Sequence, residues 1–316
     1  MTLFEKNWEL VKDLSFLNLI LLESHNACSK NVDYRSIVAS DNETIAGLNA
    51  LGTPARAIIG IKRICDQFAK TQTLSISDQL IKSGVRSLDI RVTQVEGVLM
   101  THHTFMSQSF KEIITEVVHF LEQYPLEIVQ LKIKWTDTQK QSLMDSVEKI
   151  LTETSSIKFS VTRDNRYKTI EHLVSIGQRL MIFVDGDQQR TWNTGLLSEY
   201  LDRYIDTNQS SEKVNRIEHQ LSLLNQFGGN SSRSLYTINY TLTPQTEDYT
   251  KNVIRCCGIG SKTGSLHDIN ATLPQLLPLS SRFPNSWFKA NSVSIDFVQD
   301  NSELATSLLL LVKLLF

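Results

Sequence analysis

Gly84-Val85-Arg86-Ser87-Leu88-Asp89-Ile90-Arg91-Val92 alternates polar and apolar side chains from Ser87 to Val92. A period of two marks a β-strand, here one that carries an Asp and an Arg on the same face. The flanking chain repeats the theme. Leu17–Leu22 is an apolar run that closes on a polar turn, Glu23-Ser24-His25-Asn26, and Gly97–Thr101 reads as a third strand. Phe110–Leu121 places Ile113, Ile114, Val117, Val118 and Leu121 at helical spacing, and Pro125 stops that helix. Glu127–Ile133 reads as the next strand, followed by a helix over Gln139–Leu151. Arg179–Val184, Ser234–Asn239 and Ser292–Val298 complete the strand candidates.

Strands separated by helices imply a largely parallel sheet. Units of this kind repeated over 316 residues predict an α/β fold, a single-domain TIM-like (β/α) barrel, distorted or incompletely closed. The stretch 41–70 looks like a helical insertion between the first two strands, and Ile205–Ser232 like a helix followed by a Gly228-Gly229 loop. In such a barrel the active site forms at the C-terminal ends of the strands. His25 ends the first strand, Asp89 and Arg91 lie late in the second, His102 and His103 end the third, and Asp296 lies in the last.

Composition narrows the partners. Lys+Arg 32 against Asp+Glu 34 leaves a net charge of -2, which excludes the basic excess that nucleic-acid backbones require. The N-terminus, Met1–Leu14, is charged throughout and reads as no classical signal peptide. Leu308–Val312 is far shorter than the roughly 20 residues that span a bilayer and reads as part of a buried last helix. Cys28, Cys65, Cys256 and Cys257 show no zinc-site spacing and read as free thiols. A cytoplasmic or peripheral-membrane location follows, with no protein partner evident.

Singly, none of these polar residues implies chemistry. Together, two histidines, a strand Asp and Arg, and a late Asp can supply a general base, a general acid and a cation for a phosphate. His102 and His103 point to opposite faces of their strand, so only one can enter the barrel mouth. The distance to Phe110 and the His-Thr-Phe context favour His103.

The motifs also carry a resemblance. Leu22-Glu23-Ser24-His25-Asn26-Ala27 resembles the first catalytic-histidine motif of the phosphatidylinositol-specific phospholipase C X domain. Gln79-Leu80 with Gly84–Arg91, Thr101-His102-His103-Thr104-Phe105, Phe120-Leu121 with Pro125 and Glu127-Ile128-Val129, and Ser294-Ile295-Asp296-Phe297-Val298 resemble the family's later blocks in order. Within the family the chain is similar to the compact bacterial enzymes and to the trypanosomatid phospholipase that releases glycosylphosphatidylinositol anchors. Leu242-Thr243-Pro244 and Cys256-Cys257-Gly258 add to the latter likeness.

The resemblance implies a phospholipase C acting on an inositol phospholipid at a membrane surface. His25, oriented by Asp296, is the implied base and His103 the implied acid, with Arg91 beside the phosphate and Asp89 holding Arg91 or His103. Asn26 and Lys134 are implied substrate contacts. No metal or other cofactor is implied, because Arg91 stands where calcium-dependent relatives keep a carboxylate. Asn26 departs from the Asp common in bacterial forms, and Asp185 from an inositol-contacting Arg. Asn239 or Tyr240 is a further sugar contact to consider, and Trp287-Phe288 either enters the lipid interface or packs under a loop. The competing readings are an inert X-domain fold that binds phosphoinositide membranes, and a phosphodiesterase for another lipid headgroup.

Overall fold

The computed structural model describes residues 1–33, 35–36, 62, 65–66, 69–135, 140–162, 164–184, 200–202, 205–226, 235–243, 291–301 and 303–313. Among the described residues nine strands form one sheet: β1 Leu21–Ser24, β2 Ser87–Val95, β3 Val98–His103, β4 Phe105–Ser109, β5 Val129–Trp135, β6 Leu180–Val184, β7 Tyr200–Asp202, β8 Leu235–Asn239 and β9 Ser292–Ile295. Seven of them run parallel in the order β6-β5-β2-β1-β9-β8-β7. Among the described residues no ladder joins β6 to β7, so the barrel is open on that side. This is the expected α/β architecture, a distorted, incompletely closed barrel.

One expectation is corrected. The third strand is not a barrel stave: β3 folds back antiparallel on the far half of β2, pairing Val92 with Thr101 through Val95 with Val98. β4, unanticipated from the sequence, then pairs antiparallel with β3. β2 is long enough to do both jobs. Its first half lies between β1 and β5, and its second half carries the hairpin.

Period-two alternation divides the inside of the barrel from the outside. Leu88, Ile90 and Val92 turn outward and are fully buried in the apolar core. That core includes the inner face of the Phe110–Gln123 helix, with Phe110, Ile113, Ile114, Val117, Val118, Phe120 and Leu121 buried. The helix starts where Ser109 and Glu112 form a reciprocal capping box, the Ser109 hydroxyl accepting from the Glu112 N–H at 3.3 Å and Glu112 accepting from the Ser109 N–H at 2.8 Å. The last helix, Leu304–Lys313, buries Leu304, Ala305, Leu308 and Leu309. A Cβ on Gly84, whose φ is +69°, would lie 2.9 Å from the Ala305 Cβ. No other residue type fits that approach without displacing the helix.

The barrel interior is polar rather than oily. Glu23 and Lys132, 1% and 0% exposed, form an ion pair at 2.8 and 2.9 Å. The Glu23 carboxylate also accepts from Ser87 Oγ at 2.8 Å and Ser292 Oγ at 2.7 Å, and Lys132 donates to Thr237 Oγ1 at 2.8 Å. Five strands thereby meet in one hydrogen-bonded layer. Below it, where β2 and β5 begin, Arg86 donates to Glu127 at 2.6 Å, and Glu127 accepts the Phe4 N–H at 2.8 Å.

The 41–70 insertion lies largely outside the described residues; Lys62, Cys65, Asp66 and Ala69 within it are helical. The Gly228-Gly229 loop, Asp185, Cys256-Cys257 and Trp287-Phe288 lie outside them altogether. Cys28 and Cys65 are free, buried thiols. Among the described residues no helix is long and apolar enough to cross a membrane.

Candidate active site

One step above the Glu23–Lys132 layer, the same strands present the expected site residues. In register, Asp89 lies beside Lys132 and Arg91 beside Lys134, so the inward face of β2 and β5 carries charge at successive levels. His25 follows the last residue of β1, and Asp296 the last residue of β9, two adjacent parallel strands. Asp296 therefore stands at the strand end rather than inside the strand, which stops at Ile295.

His25 is buried, and its Nδ1 lies 2.7 Å from Asp296 Oδ1. A carboxylate there can only accept, so Nδ1 carries the proton and Nε2 is left as the basic nitrogen. Asn26 Nδ2 lies 3.0 Å from that Nε2, and an amide N–H donates to such a lone pair. The other end of the amide, Asn26 Oδ1, is buried with no hydrogen-bond partner among the described residues. A buried acceptor of this kind costs about 1–3 kcal/mol when left unmade.

The second imidazole belongs to His103. Its ring centroid lies 6.1 Å from that of His25, at an interplanar angle of 67°. Its Nδ1 lies 2.7 Å from the Ala69 carbonyl, which again requires a proton on Nδ1. His102 is buried, on the neighbouring position of β3. Burial of the His103 ring, with Arg91 and His25 beside it, holds its pKa well below the usual histidine value.

Asp89 is buried, lies 3.1 Å from Lys134 Nζ, and accepts the Asn26 N–H at 3.3 Å. Burial pushes its carboxyl up, but Lys134, Lys132, His25 and Arg91 outweigh that and hold it well below the usual carboxylate range. The group is a fixed negative charge at neutral pH.

Backbone strain is concentrated at the same place. Asn26, Thr104 and Phe297 have φ of 44°, 64° and 53°, and each directly follows one of His25, His103 and Asp296. Such conformations are uncommon for residues with a Cβ, and for a β-branched Thr they are outliers. They survive only where surrounding contacts over-determine them, typically at functional sites.

Asn239, the suggested sugar contact, has its Oδ1 taken by Lys213 Nζ at 3.1 Å and Thr241 Oγ1 at 2.7 Å, and Tyr240 is buried. Among the described residues the oxygen donors do not make a calcium cage, which needs 6–8 oxygens. Asp89 is held by Lys134, and Glu23 by Lys132, Ser87 and Ser292. Sequence reasoning missed Glu23–Lys132 as a lumenal pair and the Ala69 carbonyl as a histidine partner. The alternating Lys132 on an apolar strand was the available signal for the first; a backbone carbonyl has none.

A family model described as PI-PLC X 1 matches residues 46–254, about two thirds of the chain. The chain belongs to the PI-PLC X family. The matched span holds Asp89, Arg91, His103 and Lys134, while His25, Asn26 and Asp296 fall outside it. A PI-PLC X-box domain-containing protein of Dictyostelium discoideum is 26% identical over 148 residues, 46% of this chain and 18% of that protein. The chain thus spans less than a fifth of that relative's length. Among solved structures it is similar to the phosphatidylinositol-specific phospholipase C from Listeria monocytogenes (TM-score 0.56, 14% identity, covering 96% of this chain and 94% of that one). A mutant of the Staphylococcus aureus phosphatidylinositol-specific phospholipase C gives a TM-score of 0.55 at 14% identity, covering 92% of this chain and 88% of that one. At these identities the likeness to the bacterial structures is one of fold.

Proposed function

We propose that this PI-PLC X protein is a phospholipase C that cleaves phosphatidylinositol, or its glycosylated anchor form, to diacylglycerol and a cyclic inositol phosphate. The observation that carries the reading is the His25–Asp296 pair at 2.7 Å facing the His103 ring 6.1 Å away. Two imidazoles across a polar barrel mouth suit a reaction that removes one proton and delivers another.

In this reading the inositol 2-hydroxyl displaces the Asn26 amide from His25 Nε2, which takes its proton as that oxygen bonds to phosphorus. The bond from phosphorus to the diacylglycerol oxygen breaks, and His103 protonates the departing oxygen. Asp296 stabilises the imidazolium formed at His25. Arg91 offsets charge on the non-bridging oxygens, Lys134 sits on Asp89 at the headgroup side, and the unpartnered Asn26 Oδ1 accepts a substrate hydroxyl. His103 is neutral before substrate arrives, because burial, Arg91 and His25 disfavour its charge. The anionic phosphodiester reverses that balance, so His103 takes up from solvent, as the substrate binds, the proton that it then donates.

Positive charge from Arg91 and Lys134 makes a metal unnecessary, and the whole chain acts as one catalytic barrel at a cytoplasmic or peripheral membrane surface. The test is release of diacylglycerol from labelled phosphatidylinositol vesicles in EDTA. The expected result is activity that persists in EDTA and is lost in His25→Ala. Loss of parental activity on adding EDTA would overturn the metal-free reading, and activity surviving in His25→Ala would overturn the mechanism.

A further inference from the structure

Three parts of the site lie far apart in sequence: the end of β1, the end of β9 and the tip of the β3–β4 hairpin. One short segment, residues 69–72, touches all of them. The Ala69 carbonyl accepts from His103 Nδ1 at 2.7 Å. Thr71 Oγ1 donates to the His25 carbonyl at 2.9 Å, and the Thr71 carbonyl accepts the Phe297 N–H at 2.8 Å. Gln72 Nε2 bridges the His25 and Ile295 carbonyls at 3.1 and 3.0 Å, and Gln72 Oε1 accepts the Val298 N–H at 3.2 Å. Ser29 Oγ locks the segment from below, accepting the Thr71 and Gln72 N–H groups at 3.0 and 2.9 Å and meeting Thr71 Oγ1 at 2.7 Å. Thr71 and Gln72 are 0% and 1% exposed.

These contacts do not build the barrel, whose ladders already join β1 to β9 over Leu21–Ser24 and Ser292–Ile295. They act just beyond the ladder, on the residues that carry His25 and Asp296 and on the strained positions Asn26 and Phe297 that follow them. We infer that residues 69–72 form a positioning brace that sets the two imidazoles against each other, with Thr71 and Gln72 as its positioning residues. The brace fixes the proton on His103 Nδ1 through Ala69 and the height of His25 relative to Asp296 through Gln72. It deepens the proposed phospholipase reading and rests on it for the activity readout only.

Substitution of Gln72 by Met keeps the shape and removes the bridge. The Ile295 carbonyl still accepts the His25 N–H at 3.0 Å and the His25 carbonyl still accepts from Thr71, so the fold retains its ladders. Thr71→Val removes the hydroxyl at nearly constant shape, and Thr71→Ser restores it.

The experiment measures kcat and KM on phosphatidylinositol vesicles and the imidazole nitrogen resonances of the ¹⁵N-histidine-labelled protein. Gln72→Met is expected to lower kcat by about 10–100-fold, because displacement of a catalytic group by about 1 Å costs up to about 10²-fold. KM should stay within about twofold, the mark of an interaction that matters only in the transition state. The His25 resonances should shift in the same variant. Thr71→Val should lose activity and Thr71→Ser should match the parent.

A Gln72→Met protein with parental kcat and unmoved imidazole resonances overturns the brace. So does a loss confined to KM, or a Thr71→Ser variant as impaired as Thr71→Val. If Gln72→Met does not fold, the Thr71 pair decides. If the parent fails to cleave the vesicles, the phospholipase reading falls, and the imidazole resonances of the variants decide the brace alone.

Discussion

Two levels of one barrel contain similar residues and treat them differently. At the lower level Glu23, Lys132, Ser87, Ser292 and Thr237 satisfy one another through hydrogen bonds of 2.7–2.9 Å. At the upper level Asn26 Oδ1 has no hydrogen-bond partner among the described residues, His103 is held neutral, and three neighbouring residues sit at positive φ. The lower charges have permanent protein partners and serve the fold. In the proposed reading, the upper ones are completed by a polar, anionic substrate. Buried charge alone does not mark a site; incomplete satisfaction next to strain does.

The contrast is most exposed by single substitutions at each level. His25→Ala and His103→Ala should each lower kcat by about 10²–10⁴-fold, and His103→Ala should leave the unfolding midpoint near that of the parent. Steady-state kinetics with thermal unfolding checks both halves of that expectation. Lys132→Met should do the reverse. It leaves Glu23 as an uncompensated buried charge, at a cost of about 3–5 kcal/mol in denaturant unfolding, and a Glu23→Gln, Lys132→Met double variant should recover most of the loss. Equal stability of the single variant and the parent would mean that the lower level is no structural pair.

The pH dependence of stability probes the upper level at smaller cost. The His103 pKa is lower in the folded state than in the unfolded chain, so the unfolded chain binds the extra proton first. Stability is therefore full above about pH 6.5, the ordinary histidine value, and falls as pH drops below it. Asp89, also depressed, loses its contribution only below about pH 4. Thermal unfolding midpoints from pH 7 to pH 4.5 should decline less in His103→Gln than in the parent; identical slopes would remove His103 as the cause. The smallest effect lies outside both levels. Ser109→Ala should cost about 1 kcal/mol by loss of the helix cap, with kcat unchanged.

Much of this architecture was legible in the amino-acid sequence. Ser87–Val92 announces a strand by alternation, and Ile113, Ile114, Val117, Val118 and Leu121 announce a helix by spacing. The β3–β4 hairpin was not, since the chain reverses at Thr104 with neither Gly nor Pro to mark a turn. The lumenal Glu23–Lys132 pair was hidden for another reason. A charged residue alternating with apolar ones reads as a solvent-facing position unless strand closure turns that face inward. Of the site, the residue types were visible and their pairing was not. Neither the Asn26 contact to His25 nor the meeting of residues 69–72 with three distant strand ends has a sequence signature, because both depend on how loops fold over the barrel mouth.

The most direct measurement is the identity of the phosphorus product when the protein acts on phosphatidylinositol vesicles in EDTA, followed by ³¹P NMR. A His25/His103 transfer to the inositol 2-hydroxyl predicts a cyclic inositol phosphate as the first product, formed by the parent and absent with His25→Ala. An acyclic inositol phosphate as the first product, or the same cyclic product from His25→Ala at the parental rate, would contradict it.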